Sequence, residues 1–328
     1  MTCDIITFGE AMVRLAPPHF RRLEQTDTLD LEIGGAELNT AAGLVRLGHS
    51  VSWISRLTDN ALGRLIANRA REIGVHVDDV LFTPHDRVGV YFLEFGAAPR
   101  PSGIIYDRAD SAMAKIQPGM LSWQRIFTGA KWFYITGITA ALSASSAEAA
   151  LEALRCAKQM GLSTCLDPNY RAKLWTVEQA ASWLAKAVEY VDVLITNPED
   201  VERFFGISGG DIESTSVEAV RRHNLKAIAL TLRQTHSVWR NGWTAIACEK
   251  EKVLTTRSYE VEIVDRLGAG DAFASGLIHG LMEGNLQKGL DWGVAMSAIK
   301  HTIPGDLPWI SSEEVEGLLQ GGGLRIRR

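Results

Sequence analysis

The sequence is poor in the features that mark special classes of protein. Of its 328 residues only four are cysteine, at positions 3, 156, 165 and 248, and none belongs to a CxxC pair or a zinc-like cluster. That excludes a disulfide scaffold and is what buried thiols in a reducing cytosol look like. There is no basic excess: 34 basic residues against 39 acidic ones leave a net charge of −5. Nothing is left over to neutralise a phosphate backbone, which argues against a nucleic-acid partner. No apolar run approaches the roughly 20 residues of a membrane helix, so no membrane partner is expected. The N-terminus, MTCDIITFGEAM, has neither a basic start nor a long apolar stretch. No secretory signal is expected there, and the expected location is the cytoplasm. Internal repeats and a linker between independent domains are also missing, and the eight histidines form no metal-ligand pattern.

What is present is an ordinary globular mixture, 46% hydrophobic and 22% charged. A chain of this length buries roughly three-quarters of its unfolded surface and needs no covalent staple. Short apolar runs alternate with helical patterns, which predicts an α/β fold with a mostly parallel sheet covered on both faces. The expected strands are 5–9, 51–55, 132–136, 163–167, 193–197 and 227–232, and the expected helices 37–47, 61–73, 145–159 and 177–188. Two stretches break the rhythm. Residues 11–33 hold Pro17-Pro18 and an alternating run at 29–33, and residues 87–110 hold two β-rich runs around a Pro/Gly-rich connection. Together they predict a small antiparallel sheet set on a core made of residues 1–10, 34–86 and 111–328. Such a sheet, with one open face, caps a cleft or pairs with another subunit; a homodimer through it is expected. The tail GGGLRIRR reads as an edge strand at most.

The stretch 261–280, VEIVDRLGAGDAFASGLIHG, carries the chemistry. An apolar strand is expected to end at Asp265. Gly268, Ala269 and Gly270 then let consecutive N–H groups point at one spot, and the helix that follows adds the positive end of its dipole. That combination suits a transferring phosphoryl group, and Asp271 beside it can accept a proton from an attacking hydroxyl. A tight turn with an aspartate cap would use the same residues.

The segment resembles the C-terminal signature of the PfkB (ribokinase-like) carbohydrate kinases, D-[TS]-x-G-A-G-D. Asp265, Gly268, Ala269, Gly270 and Asp271 match, while Arg266-Leu267 depart at the flank. Gly34-Gly35-Ala36-Glu37-Leu38-Asn39-Thr40-Ala41 is similar to the family's N-terminal G-G-x-x-x-N-x-A motif. The resemblance covers nearly the whole chain and implies a ribokinase-like three-layer α/β/α fold with a β lid. It implies ATP and Mg²⁺, and a monovalent cation such as K⁺ near Asp265.

One branch of the family is indicated. Residues 167–175, DPNYRAKLW, resemble the D-x-N-x-R-x-x-L-W stretch of 2-keto-3-deoxygluconate kinases and related fructokinases. The stretches 90–92, 106–109, 137–143 and 300–306 look like those of the same kinases. A keto-sugar acid carries a carboxylate that arginine clamps well, and Arg108 and Arg171 are the candidates. Gly34, Gly35, Asn39, Tyr91, Tyr106 and Asp271 complete the expected sugar site. Asn197 and Asp200 resemble the N-x-x-E element that positions hydrated Mg²⁺ and phosphates, with a shorter carboxylate at its end. Asn169, Asn197, Thr231, Arg233, Gly268 and Gly270 are the expected nucleotide contacts. The loop after Leu230 lacks the glycines of the family's K-x-G-x-x-G pattern. The implied activity is phosphorylation of the terminal primary hydroxyl of a keto-sugar acid, 2-keto-3-deoxygluconate above all, to the 6-phosphate. A fructokinase or other neutral-sugar kinase, and a catalytically silent sugar- or nucleotide-binding protein, are the rivals.

Overall fold

The computed structural model describes residues 3–322. Its main sheet runs in the order Lys252–Thr255, Arg240–Glu249, Ala227–Thr235, Val193–Thr196, Ser163–Asp167, Trp132–Thr136, Ile5–Phe8, Val51–Ile54. The six strands from Ala227–Thr235 to Val51–Ile54 are joined in parallel. Their residues are mostly apolar because both faces are covered. The strand Trp132–Thr136 shows this directly. Phe133 and Ile135 enter one hydrophobic cluster and Trp132 and Tyr134 the other, on opposite sides of the sheet. The first cluster is roofed by helices between 123 and 223. The second is roofed by Ala36–Arg46, Ala61–Glu72, Ala269–Met282 and Leu286–Lys300.

The helices start where short polar side chains cap them. Ser143 and Thr176 form capping boxes, and Asn60 and Asn197 accept bonds from the first turn. Several of the loops that leave the carboxyl ends of the parallel strands carry the signature residues: Asn169 follows Asp167, and Asn197 follows Thr196. Open α/β sheets bind ligands at that edge.

A second sheet stands beside this edge, in the order Asp30–Gly34, Met12–Ala16, Val90–Glu94, Gly103–Asp107. Its outer pairs are antiparallel, but its central pair, Met12–Ala16 with Val90–Glu94, is parallel. The expected all-antiparallel arrangement is corrected here. The chain passes through the core between these two strands, and such a long crossover returns in the same direction. Cross-strand partners give the sheet two unlike faces. Glu32, Arg14, Tyr91 and Tyr106 form one row, and Leu31, Leu15, Phe92 and Ile105 the next row on the opposite face.

Three further differences from the sequence reading have physical causes. The expected strand 227–232 continues to Thr235, and residues 233–235, expected as loop, pair in register with Asn241–Trp243. Hydrogen bonding to that long partner overrides the weak apolar signal, and the turn is displaced to residues 236–239. The strand expected to reach Asp265 is Tyr259–Glu262; Val264 and Asp265 instead donate their N–H groups to the carbonyl of His301. A third, two-stranded sheet, Arg56–Thr58 with Leu81–Thr83, was not foreseen. Of the tail, residues 323–328 lie outside the described residues. Among the described residues no helix is long and apolar enough to cross a membrane.

Candidate active site

The helix Ala269–Met282 opens on Gly268, whose φ of 78° is left-handed, with no side chain capping it. Its first N–H groups have no intrahelical partner, Ala269's alone reaching back to the Arg266 carbonyl at 3.4 Å, and face an anion site. A Cβ at Gly268 would stand 2.1 Å from the carbonyl oxygen of Asp306, so only glycine fits. At Gly270 a Cβ would meet nothing within 4 Å, which places that glycine on open space.

Asp271 lies in the first turn of this helix and is 8% exposed. Asn39 Nδ2 donates to its Oδ2 at 2.7 Å, and Asn39 Oδ1 accepts from Gly35 N at 3.3 Å. One amide thus links the two glycine motifs, 232 positions apart. The helices carrying them touch closely: Ser275 Oγ donates to Thr40 O at 3.1 Å, and a Cβ on Gly43 would stand 2.3 Å from Ser275 Oγ. Burial pushes the Asp271 carboxyl up to about 6, opposed by the Asn39 bond and the charge of Arg171.

A cavity of about 100 Å³ adjoins Asp271. It brings together Gly34, Gly35, Asn39, Tyr91, Tyr106, Arg108, Arg171, Asn169 and Gly268, and the residue Asp306, which sequence reasoning missed. Two of these side chains are already engaged. Tyr91 is buried and donates its hydroxyl to Asp306 Oδ2 at 2.5 Å. Arg108 pairs with buried Glu10 through Nε, at 2.9 Å, and through Nη2. Glu10 also accepts from the Ser111 hydroxyl. Glu10 was legible only as a charged residue at a strand end, which gave no signal by itself.

On the other side of Gly270 a cavity of about 300 Å³ is lined by Asp167, Asn169, Arg171, Asn197, Asp200 and Thr231. It shares Arg171, Asn197 and Thr231 with a larger one of about 780 Å³, which also takes in Arg233 and Trp243. Asp167 opens the DPNYRAKLW stretch but is not among the expected site residues. Burial pushes its carboxyl up to about 7, against a 2.8 Å bond from Asn169 N. Asn169 has a φ of 42°, tolerated by asparagine better than by most residues. Asp200 accepts from Asn197 Nδ2 at 2.9 Å and from Arg203 Nη1 at 2.7 Å, and burial raises its carboxyl.

Among the described residues no group of three acidic, histidine or cysteine side chains is arranged to hold a metal alone. The oxygens of Asp167, Asn169, Asn197 and Asp200 around one cavity are hard donors. They suit Mg²⁺ that keeps its waters and is carried chiefly by phosphates. Asp265 does not fit a monovalent cation. Its Oδ2 is held by Arg14 Nη2 at 2.6 Å and Gly305 N at 3.0 Å, and its Oδ1 by Leu267 N at 3.1 Å. The expectation of a metal at Asp265 is corrected on that ground: the carboxylate is 1% exposed and already neutralised.

A small polar cavity lined by a buried carboxylate, and a nucleotide-sized one that shares Arg171 with it, are what a phosphoryl-transferring sugar enzyme needs. The profile of the pfkB family carbohydrate kinases matches residues 3–307, and the chain belongs to that family. It is 35% identical to the 2-dehydro-3-deoxygalactonokinase of Haloferax volcanii over 100% of both chains. The crystal structure of the 2-dehydro-3-deoxygluconokinase of Thermotoga maritima is 40% identical, with a TM-score of 0.94 over 98% of this chain and 99% of that one. A double mutant of the fructokinase of Vibrio cholerae, solved with fructose, ADP and potassium ion, is 20% identical with a TM-score of 0.77, over 97% of this chain and 99% of that one. That last likeness is one of fold. The chain is a ribokinase-like α/β sugar kinase.

Proposed function

We propose that the enzyme transfers the γ-phosphoryl group of ATP to the terminal primary hydroxyl of a 2-keto-3-deoxy sugar acid. 2-Keto-3-deoxygluconate, converted to its 6-phosphate, is the substrate the site suits best. The observation that carries this reading is the pair of guanidinium groups on the same cavity as Asp271: Arg171, and Arg108, which Glu10 holds in place through Nε and Nη2 with Nη1 left over. A neutral sugar needs no such pair, whereas a carboxylate is held by charge-assisted bonds.

Asp271 takes the proton of the attacking hydroxyl, and that oxygen bonds to the γ-phosphorus as the bond to the bridging oxygen of ADP breaks. The N–H groups from Gly268, Ala269, Gly270 and Asp271 hold the charge that spreads over the phosphoryl oxygens. Asn39, with the backbone at Gly34 and Gly35, orients the sugar hydroxyls, and Tyr106 with Tyr91 closes the sheet over them. Asn197, Thr231 and Arg233 receive the nucleotide, and Asn169 the phosphates. Mg²⁺, when bound, would supply charge neutralisation to the phosphates, and Asp167 and Asp200 would help hold it. Closure of the small sheet excludes water and protects ATP from hydrolysis.

A coupled ADP-release screen over keto-sugar acids, fructose and ribose tests the proposal. The highest kcat/KM is expected for 2-keto-3-deoxygluconate or its galactonate epimer. Preference for fructose or ribose, or sugar binding without ADP release, overturns it. Charge-assisted bonds are worth about 1.5–3 kcal/mol, so Arg108→Ala is expected to raise the KM for the keto acid roughly 10- to 100-fold. The same variant leaves the KM for a neutral sugar nearly unchanged.

A further inference from the structure

Beneath the anion hole lies a lysine that the reaction just described does not use. Lys300 ends the helix Leu286–Lys300 and is 0% exposed. Its ammonium donates to one acceptor, the carbonyl of Ile303, at 3.0 Å. A Cβ on Gly268 would stand 3.4 Å from its Cε, so the side chain runs directly under the loop that offers N–H groups to phosphate. Nearby, Arg14 is 3% exposed and bridges Asp265 at 2.6 Å and Asp306 at 2.7 Å. Burial lowers the proton affinity of Lys300, while Asp265, Asp306 and Asp271 all act to keep it charged. Burying an ammonium with a single hydrogen bond is costly unless neighbouring carboxylates compensate. The two cations Arg14 and Lys300 balance the two buried carboxylates nearest them, Asp265 and Asp306, without any added ion, with Asp271 and Glu32 lying further out in the same field.

The fructokinase of the same fold was solved with a potassium ion, and the sequence resemblance implies such an ion near Asp265. Here the carboxylate is taken by a guanidinium. We propose that Lys300, together with Arg14, is a built-in replacement for a bound monovalent cation beneath the anion hole, so that phosphoryl transfer by this enzyme is independent of potassium. Lys300 is a positioning residue: its charge holds the loop from Gly268 to Asp271 and adds positive potential behind it. The inference rests on the kinase reading of the site.

The test uses the full-length enzyme with the keto acid that the substrate screen selects. Potassium is exchanged for sodium and then for tetramethylammonium at constant ionic strength. Rates are expected to agree, and the Tm to be the same in potassium and tetramethylammonium, because a ligand that binds the native state raises Tm. Activation by potassium of about tenfold or more, or a potassium-dependent rise in Tm, overturns the proposal. Turnover that requires potassium defeats this inference alone; no turnover of any sugar in any salt defeats the kinase reading. Lys300→Met, which keeps the length and removes the charge, is expected to lower kcat about 100-fold while the KM for the sugar stays nearly constant. Wild-type kcat in a folded Lys300→Met variant also overturns it. If that variant fails to fold, the cation exchange on the unaltered enzyme decides.

Discussion

Burial and hydrogen bonding pull on Asp271 in opposite directions, and the balance fixes what the residue can do. With its carboxyl at about 6, most of it is ionised at pH 7 yet is a stronger base than a solvated aspartate. The base must be ionised, so kcat/KM is expected to fall about tenfold per pH unit below about 6 and to level off above it. Asp271→Asn keeps an oxygen for Asn39 Nδ2 and loses the base. A drop in kcat of about 100- to 10,000-fold is expected, and the acid limb of the pH profile disappears with it. Stability moves the other way. The native pKa lies above the unfolded 3.8, so the folded chain holds its proton longer, and charging the group costs stability as pH rises from 3.8 to about 6. Thermal melts at pH 7 should therefore find Asp271→Asn no less stable than the parent. Near-normal turnover in the variant would remove the assignment of the base.

The element that matters most is the helix Ala269–Met282, because its N-terminus and its packing are specified together. Its small residues admit close neighbours: a Cβ on Gly276 would stand 2.5 Å from the backbone of Gly293 in the next helix. On its other side the close approach of Gly43 to Ser275 brings Asp271 against Asn39. Gly268→Ala strains a left-handed φ and drives a methyl into the Asp306 carbonyl, so the first turn must shift. Loss of an aligned donor is expected to cost about 100- to 1,000-fold in kcat, with substrate KM less affected; steady-state kinetics on the folded variant checks it. This element was legible in the sequence because glycines, an aspartate and a helical pattern stand in one unbroken run. So were the parallel strands, whose burial on both faces leaves continuous apolar stretches. What was not legible depends on partners far along the chain. Asp306 and Arg14 meet 292 positions apart, and Glu10 with Arg108 98 apart. The extension 233–235 looked like a loop because its polar residues, Arg233-Gln234-Thr235, show no apolar pattern, and only pairing with Asn241–Trp243 makes it strand.

At the scale of the whole molecule, the small sheet is the part whose surface is not accounted for by one chain. Its inner row, Arg14, Tyr91 and Tyr106, faces the buried ion pairs and the sugar cavity. Its opposite row, Leu31, Leu15, Phe92 and Ile105, is apolar, with Leu31 40% and Ile105 59% exposed. Phe20 and Leu29 are exposed as well. An antiparallel sheet with water on one face normally carries polar residues there, so an apolar outer face calls for a cover. We propose that a second copy of the chain supplies it about a two-fold axis, each apolar row packing on its twin as an isologous contact requires. Ile105→Asp puts a charge into the middle of that contact at a position that is itself exposed, away from the part of the face where Leu15 packs on the core. Light scattering is expected to give twice the chain mass for the parent and about the chain mass for Ile105→Asp, whose melting transition at high dilution stays close to the parent's. The variant is also expected to show a raised sugar KM, since a sheet without its twin closes less firmly over the cavity. A parent that scatters as a single chain at assay concentration would leave the apolar row without a partner and end the proposal.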